Sequence, residues 1–278
     1  MGIILYEKFS SEEGIFGYNI MPEDILPKWG SDLSTSNIAR GSYEHLIFIT
    51  LIVLIDYQRN ADQLWEAGRK TFEDKSTRWL FTPRELMNKS LPEIKSAMMV
   101  HSLAKKPSKD ARIWYTVSKS FFEMYDSDPI NLIKECDYDA LKIYNKKFDQ
   151  RFKCKFPFLS GDKIFPLWIR MLHDNVGIEL KNLCKIPIPV DTHIARASFT
   201  TGCLTGKYSG SISAVRHIID GVWKGAVESS NHPRLEYRLQ LDEPLWHLSR
   251  YGCKYRTDDF CPKKARYPVN RFCVKRYC

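Results

Sequence analysis

The nine residues IPVDTHIAR, Ile188 to Arg196, carry a single carboxylate, Asp191, with His193 and Arg196 close behind it. Prolines spacing aliphatic residues read as extended chain, and the residues after Asp191 read as the start of a helix, so the acid sits at the seam. A carboxylate fixed there suits two kinds of work. It can cap the helix by accepting hydrogen bonds from its first backbone N–H groups. It can also stabilise positive charge that develops in a reaction, or direct a water molecule at it.

Four thiols crowd the C-terminal stretch GCKYRTDDFCPKKARYPVNRFCVKRYC: Cys253, Cys261, Cys273 and Cys278, separated by 7, 11 and 4 residues. The stretch has few aliphatic residues with which to build a core, so a metal centre that holds the loop together accounts for the thiols best. An iron–sulfur cluster and a zinc ion both satisfy the count, although zinc usually takes paired ligands at short gaps, and only the last gap here is short. Two disulfides or four unrelated thiols are the alternative. The cysteines at 136, 154, 184 and 203 are scattered and read as structural.

Two further stretches carry polar groups where a partner could be met. FLSGDKIFPLWIRML, Phe158 to Leu172, reads as a turn at Gly161 followed by a helix, with Lys163 and Arg170 supplying charge. Consecutive N–H groups at such a turn can bind a phosphate oxygen. LIVLIDYQRNAD, Leu51 to Asp62, ends an apolar run with Gln58, Arg59 and Asn60, which also fit a capped loop between two helices. The whole chain favours polyanionic partners, with 42 Lys and Arg against 33 Asp and Glu, a net charge of +9 and a pI near 9.0. The stretch from Arg250 onward alone holds nine basic residues against Asp258 and Asp259.

The elements that must position these groups read as helices. Apolar residues recur at helical spacing in most segments from Ser42 onward, and alternating strand patterns are scarce. Ser42 gives a weak helix start, Thr82 with Pro83 a stronger one, and residues 1–40, punctuated by Gly and Pro, read mostly as loop. The apolar run LIFITLIVLI, Leu46 to Ile55, spans ten residues, half of what a membrane-spanning helix needs, and reads as a buried helix. The first residues, MGIILYEKFSSEEG, read as neither signal peptide nor myristoylation site, Tyr6 standing where the latter wants Ser or Thr. An intracellular protein (cytoplasm, nucleoid or nucleus) with no membrane association is expected. The fold class is all-α.

These residues carry a family resemblance. IPVDTHIAR is similar to the segment that holds the catalytic aspartate of the helix-hairpin-helix DNA glycosylases related to endonuclease III and the adenine-mismatch glycosylases. FLSGDKIFPLWIRML resembles their hairpin and following helix. LDEPLWHLSRYGC, Leu241 to Cys253, resembles the approach to the four cysteines that hold their [4Fe-4S] centre. LIVLIDYQRNAD resembles their first long helix and the loop that presents a Gln to the DNA gap. Two features depart from the family. Its bifunctional members place a nucleophilic lysine four residues after the hairpin glycine, where this chain has Phe165, and the nearest amine, Lys163, comes two residues early. The cysteine spacing also differs, with Tyr267 near where a third cysteine is expected.

The resemblance implies a two-lobed helical protein: a barrel lobe over 41–172 with its hairpin at 158–172, and a second lobe made by 1–40 and 173–278 with the cluster loop at 253–278. It implies a base-excision repair glycosylase that cleaves the N-glycosidic bond of a damaged or mismatched base flipped out of duplex DNA, acting as a monomer. Asp191 would be the catalytic carboxylate. Lys163 would be either the amine of an AP-lyase reaction or a phosphate contact. Gln58, Arg59, Asn60, Ser160, Gly161, Asp162, His193 and Arg196 would meet DNA. Cys253, Cys261, Cys273 and Cys278 would hold a [4Fe-4S] cluster, with zinc as the alternative. A non-catalytic DNA-binding module that keeps the fold is the rival expectation.

Overall fold

The computed structural model describes residues 1–12, 14–16, 19–28, 37–206, 211–255 and 273. Its α-helices are α1 (Gly2–Phe9), α2 (Tyr43–Val53), α3 (Ala61–Glu73), α4 (Pro83–Leu86), α5 (Leu91–Val100), α6 (Pro107–Tyr125) and α7 (Pro129–Glu135). They continue with α8 (Ala140–Asn145), α9 (Gln150–Lys155), α10 (Ile164–Met171), α11 (Thr192–Thr200), α12 (Arg216–Glu228) and α13 (Asp242–Tyr251). Among the described residues there is no strand; isolated bridges include Lys28–Asn37 and Asp139–Lys181, so the class is all-α. No described helix is long and apolar enough to cross a membrane. The chain divides into two compact units, Met21–Asn182, and Met1–Ile20 with Leu183–Cys278.

In the unit spanning 21–182, the apolar run becomes α2. Ser42 caps it by accepting from His45 N, and every residue from His45 to Val53 is buried, as expected for a helix that is apolar nearly all round. α3 is amphipathic and turns Leu64, Trp65, Gly68 and Phe72 inward. Gly68 lets the two helices approach, since a Cβ there would stand 2.6 Å from Ile52 Cδ1. Phe48, Phe72, Phe81 and Trp114 pack edge to face or tilted at ring separations of 5.0 to 5.7 Å and tie α2, α3 and α6 into one core. α10 is buried along its whole length, with Pro166 tolerated in its first turn. Its Arg170 is fully buried against Glu23, an ion pair that fixes the segment before α2 to this helix. The chain then widens into a π-helical turn, Leu172–Val176, closed by Gly177 at φ +88°.

The other unit gathers α1, α11, α12 and α13 around Leu5, Ile194, Trp223, Leu245 and Leu248. Among its described residues the stretch 1–40, read mostly as loop, holds one α-helix. The first residues form a helix rather than loop, because Leu5 is wholly buried and Gly2 lies against Leu241 and Trp223. Tertiary burial therefore decides a segment whose local start signal is weak.

Candidate functional site

The approach to Asp191 packs into the core, with Ile186, Ile188, Pro189 and Val190 all buried. Asp220 anchors it, its Oδ1 accepting from Ile188 N at 2.9 Å and from Arg238 Nε at 2.6 Å. Asp191 then stands half-buried at the N-cap of α11, where its Oδ1 accepts from His193 N at 2.7 Å and Ile194 N at 3.0 Å. The capping role read from sequence is thus realised. His193 and Arg196 turn toward α13 instead of outward. Arg196 Nη1 donates to the buried Ser249 Oγ at 3.1 Å, His193 Nδ1 pairs with the same oxygen at 3.3 Å, and the His193 ring lies 5.3 Å from that of Trp246.

The hairpin lies between α9 and α10. Gly161 N donates to Phe158 O at 2.9 Å, and a Cβ on Gly161 would come within 2.9 Å of that same carbonyl, so the turn admits glycine alone without a shift. Ser160 Oγ donates to Phe156 O, and Asp162 pairs with Lys147 at 2.7 Å. Lys163 is the residue just before α10, and its Nζ lies 2.9 Å from Asp56 Oδ2 and 3.2 Å from Asp56 O. An amine this close to a carboxylate has a group in reach that can take a proton from it.

Asp56 lies in the α2–α3 loop, so Lys163 ties the hairpin to the loop that carries Gln58. A second tie is the tilted packing of Tyr57 on Phe158, with ring centroids 4.8 Å apart. Gln58 sits at φ +50°, a left-handed conformation unusual for a side chain of this size. Lys105 Nζ donates to its carbonyl, and Lys106 Nζ donates to its Oε1 at 3.0 Å. Arg59 Nη1 donates to Leu103 O at 2.7 Å, and Asn60 caps α3 through Oδ1 to Gln63 N at 3.2 Å. Asp110 braces the arrangement by accepting from Tyr57 Oη and from the backbone N–H groups of Lys105 and Lys106. Burial, with the Asp110 carboxylate beside it, pushes the Tyr57 hydroxyl well above the usual phenol range and keeps it a donor. Sequence patterns alone do not single out Asp56, Tyr57, Asp110 or the run KKPSK at 105–109. The run shows only as local charge, and it lies far along the chain from Gln58.

Of the four tail cysteines, Cys261 and Cys278 lie outside the described residues. Cys253 is buried just after α13 in the core cluster of its unit, and Cys273 packs against the same cluster. Both thiols therefore pack with apolar side chains, as small apolar residues do. Among the described residues no group of three or more His, Cys, Asp or Glu is arranged to hold a metal.

No family model and no curated protein sequence matches the chain. Its fold is similar to that of a solved endonuclease III, trapped as a covalent intermediate with DNA in an estranged-adenine complex, with a TM-score of 0.50. The two chains are 16% identical, and the match covers 83% of each.

Proposed function

We propose that this chain is a DNA base-excision glycosylase acting on a damaged or mismatched base flipped out of the duplex. The observation that carries the reading is Asp191, fixed at the start of α11 in a chain whose fold is similar to that of endonuclease III. Cleavage breaks the bond between C1′ and the base nitrogen, and the electron pair leaves with the base. Positive charge then grows on the sugar, and the Asp191 carboxylate stabilises it or directs water to C1′. Hydrogen bonding at one carboxylate oxygen holds the group in a single orientation, which suits an electrostatic role that must be organised in advance.

Lys163 offers a second route. If its Nζ bonds to C1′ in place of water, the amine must first give up a proton, and the Asp56 carboxylate at 2.9 Å is placed to receive it. Loss of the ring oxygen from C1′ then leaves an imine on the opened sugar, which borohydride reduces to a permanent protein–DNA link. In the glycosylase reading the turn at Ser160, Gly161 and Asp162 meets a backbone phosphate, and Gln58, with Arg59 and Asn60 beside it, fills the gap left by the flipped base. A [4Fe-4S] centre on Cys253, Cys261, Cys273 and Cys278, or a zinc ion in its place, would hold the tail together.

One observation favours a second reading, a DNA-binding module without chemistry: Asp191 and Lys163 both have structural work already, as helix cap and as ion-pair partner. Base-release assays and borohydride trapping on duplexes carrying single lesions separate the two. The glycosylase reading expects base release by wild type and its loss in Asp191→Asn, and Lys163 as nucleophile expects a trapped adduct that Lys163→Ala abolishes. Duplex binding without release of any base would establish the binding module instead.

A further inference from the structure

Within the unit spanning 21–182, many lysines close on carboxylates: Lys142 on Asp137 at 2.5 Å, Lys146 on Glu135 at 2.7 Å and Lys147 on Asp162 at 2.7 Å. Four cations beside the α2–α3 loop do not. Arg59, Lys105, Lys106 and Lys109 have no carboxylate at ion-pair distance among the described residues. Arg59 and Lys105 rest on backbone carbonyls, and Lys106 reaches the Gln58 amide oxygen. Lys109 Nζ lies 5.1 Å from the Tyr57 ring centroid and 4.6 Å from that of Phe158, and Lys106 Nζ lies 5.4 Å from Tyr57.

The nearby carboxylates are spent elsewhere: Asp56 pairs with Lys163, and Glu66 pairs with Arg69 and Lys70. Asp110 is buried and accepts from two backbone N–H groups and the Tyr57 hydroxyl, so it shapes the Lys105–Lys106 turn without neutralising either ammonium. Beside this cluster runs a groove of about 550 Å³ with Arg59 and Lys105 in its wall, continued by Asn60, Gln63 and the Glu66–Lys70 ion pair of α3 and its N-cap. Cations on an aromatic bed along a polar groove form the arrangement that tracks a nucleic-acid backbone.

We propose that Arg59, Lys105, Lys106 and Lys109 form a phosphate-binding site for a DNA strand, separate from the hairpin turn, with the α3 groove continuing its path. The inference rests on the DNA reading above and adds to it the residues that would supply much of the affinity. It also gives the Lys106–Gln58 bond a consequence: a phosphate that draws Lys106 away releases the Gln58 side chain, so strand capture and release of Gln58 are linked.

The test is fluorescence anisotropy of a labelled duplex across a salt series, comparing wild type with the triple variant Lys105→Gln, Lys106→Gln, Lys109→Gln. Lys142→Gln, which removes an ion-paired lysine elsewhere on the same unit, is the control. Each phosphate contact contributes about 0.9 to the slope of log affinity against log salt, so the triple variant is expected to flatten that slope by about 2 to 3. Lys142→Gln should leave it unchanged. Lys109→Gln and Lys109→Arg alone guard against misfolding of the triple variant, the first flattening the slope by about 1 and the second preserving it. Wild type that binds duplex and releases a base, with all these slopes equal, would overturn this site and leave the glycosylase reading standing. Wild type with no salt-dependent duplex affinity would overturn both.

Discussion

Asp191 combines a cap and a charge, and two substitutions separate them. Asn keeps an oxygen for the N–H groups of His193 and Ile194 but carries no charge, whereas Ala removes both. Urea unfolding should place Asp191→Asn close to wild type and Asp191→Ala about 1 kcal/mol lower. Base release should fall at least about a hundredfold in both, the size of effect typical when a group that stabilises transition-state charge is lost. Full turnover by the Asn variant would show that the charge is not needed. The segment was legible in sequence because its signals are local: alternating aliphatics, a capping acid and a helical run within a dozen residues. Ser249 was not legible. It holds His193 and Arg196 from more than fifty residues away, and nothing in either local pattern announces that contact.

The same division between local and distant signals runs through the elements. Ser90 and Glu93 form a reciprocal capping box at the start of α5, and Asp128 caps α7 ahead of Pro129, both within a few residues of chain. By contrast, the joining of the α2–α3 loop to the hairpin depends on Lys163 meeting Asp56 and Tyr57 meeting Phe158, about a hundred residues apart. The hairpin turn itself tests how tightly that joint is built. Gly161→Ala pushes a methyl group against the Phe158 carbonyl, which belongs to the backbone and cannot swing aside as a side chain would. The variant is expected to lose about 1 to 3 kcal/mol of stability, the usual cost of overpacking. If the turn meets a phosphate, the backbone shift should also weaken duplex affinity. Unchanged stability with unchanged affinity would mean that the turn relaxes freely and that its geometry is not what binds DNA.

At the scale of the whole molecule, the tail cysteines and the pH response are properties of the complete chain. Protein purified without oxygen should carry iron in the ratio of a [4Fe-4S] centre, and Cys253→Ser should lose it; one zinc per chain, or no metal, would correct the assignment. Acid stability depends on His45, buried in the first turn of α2. Burial, aided by the charge of Arg40, lowers its imidazole from the ordinary 6.5 to about 4, so the folded protein keeps it neutral while the unfolded chain takes a proton. Between those two values the unfolded state binds more protons than the folded one, and stability is therefore lost as pH falls from about 6.5 toward 4. The full span corresponds to about 3 kcal/mol. Glu23 works in the opposite direction, since burial outweighs Arg170 and raises its carboxyl, which makes the folded state the better proton binder there. Comparing His45→Gln with wild type at each pH isolates the imidazole from that opposing group. Denaturant unfolding from pH 7 to pH 4.5 should show wild type losing stability more steeply than His45→Gln. Parallel curves would mean that His45 takes up its proton without leaving the folded core, and that the acid response belongs to other groups.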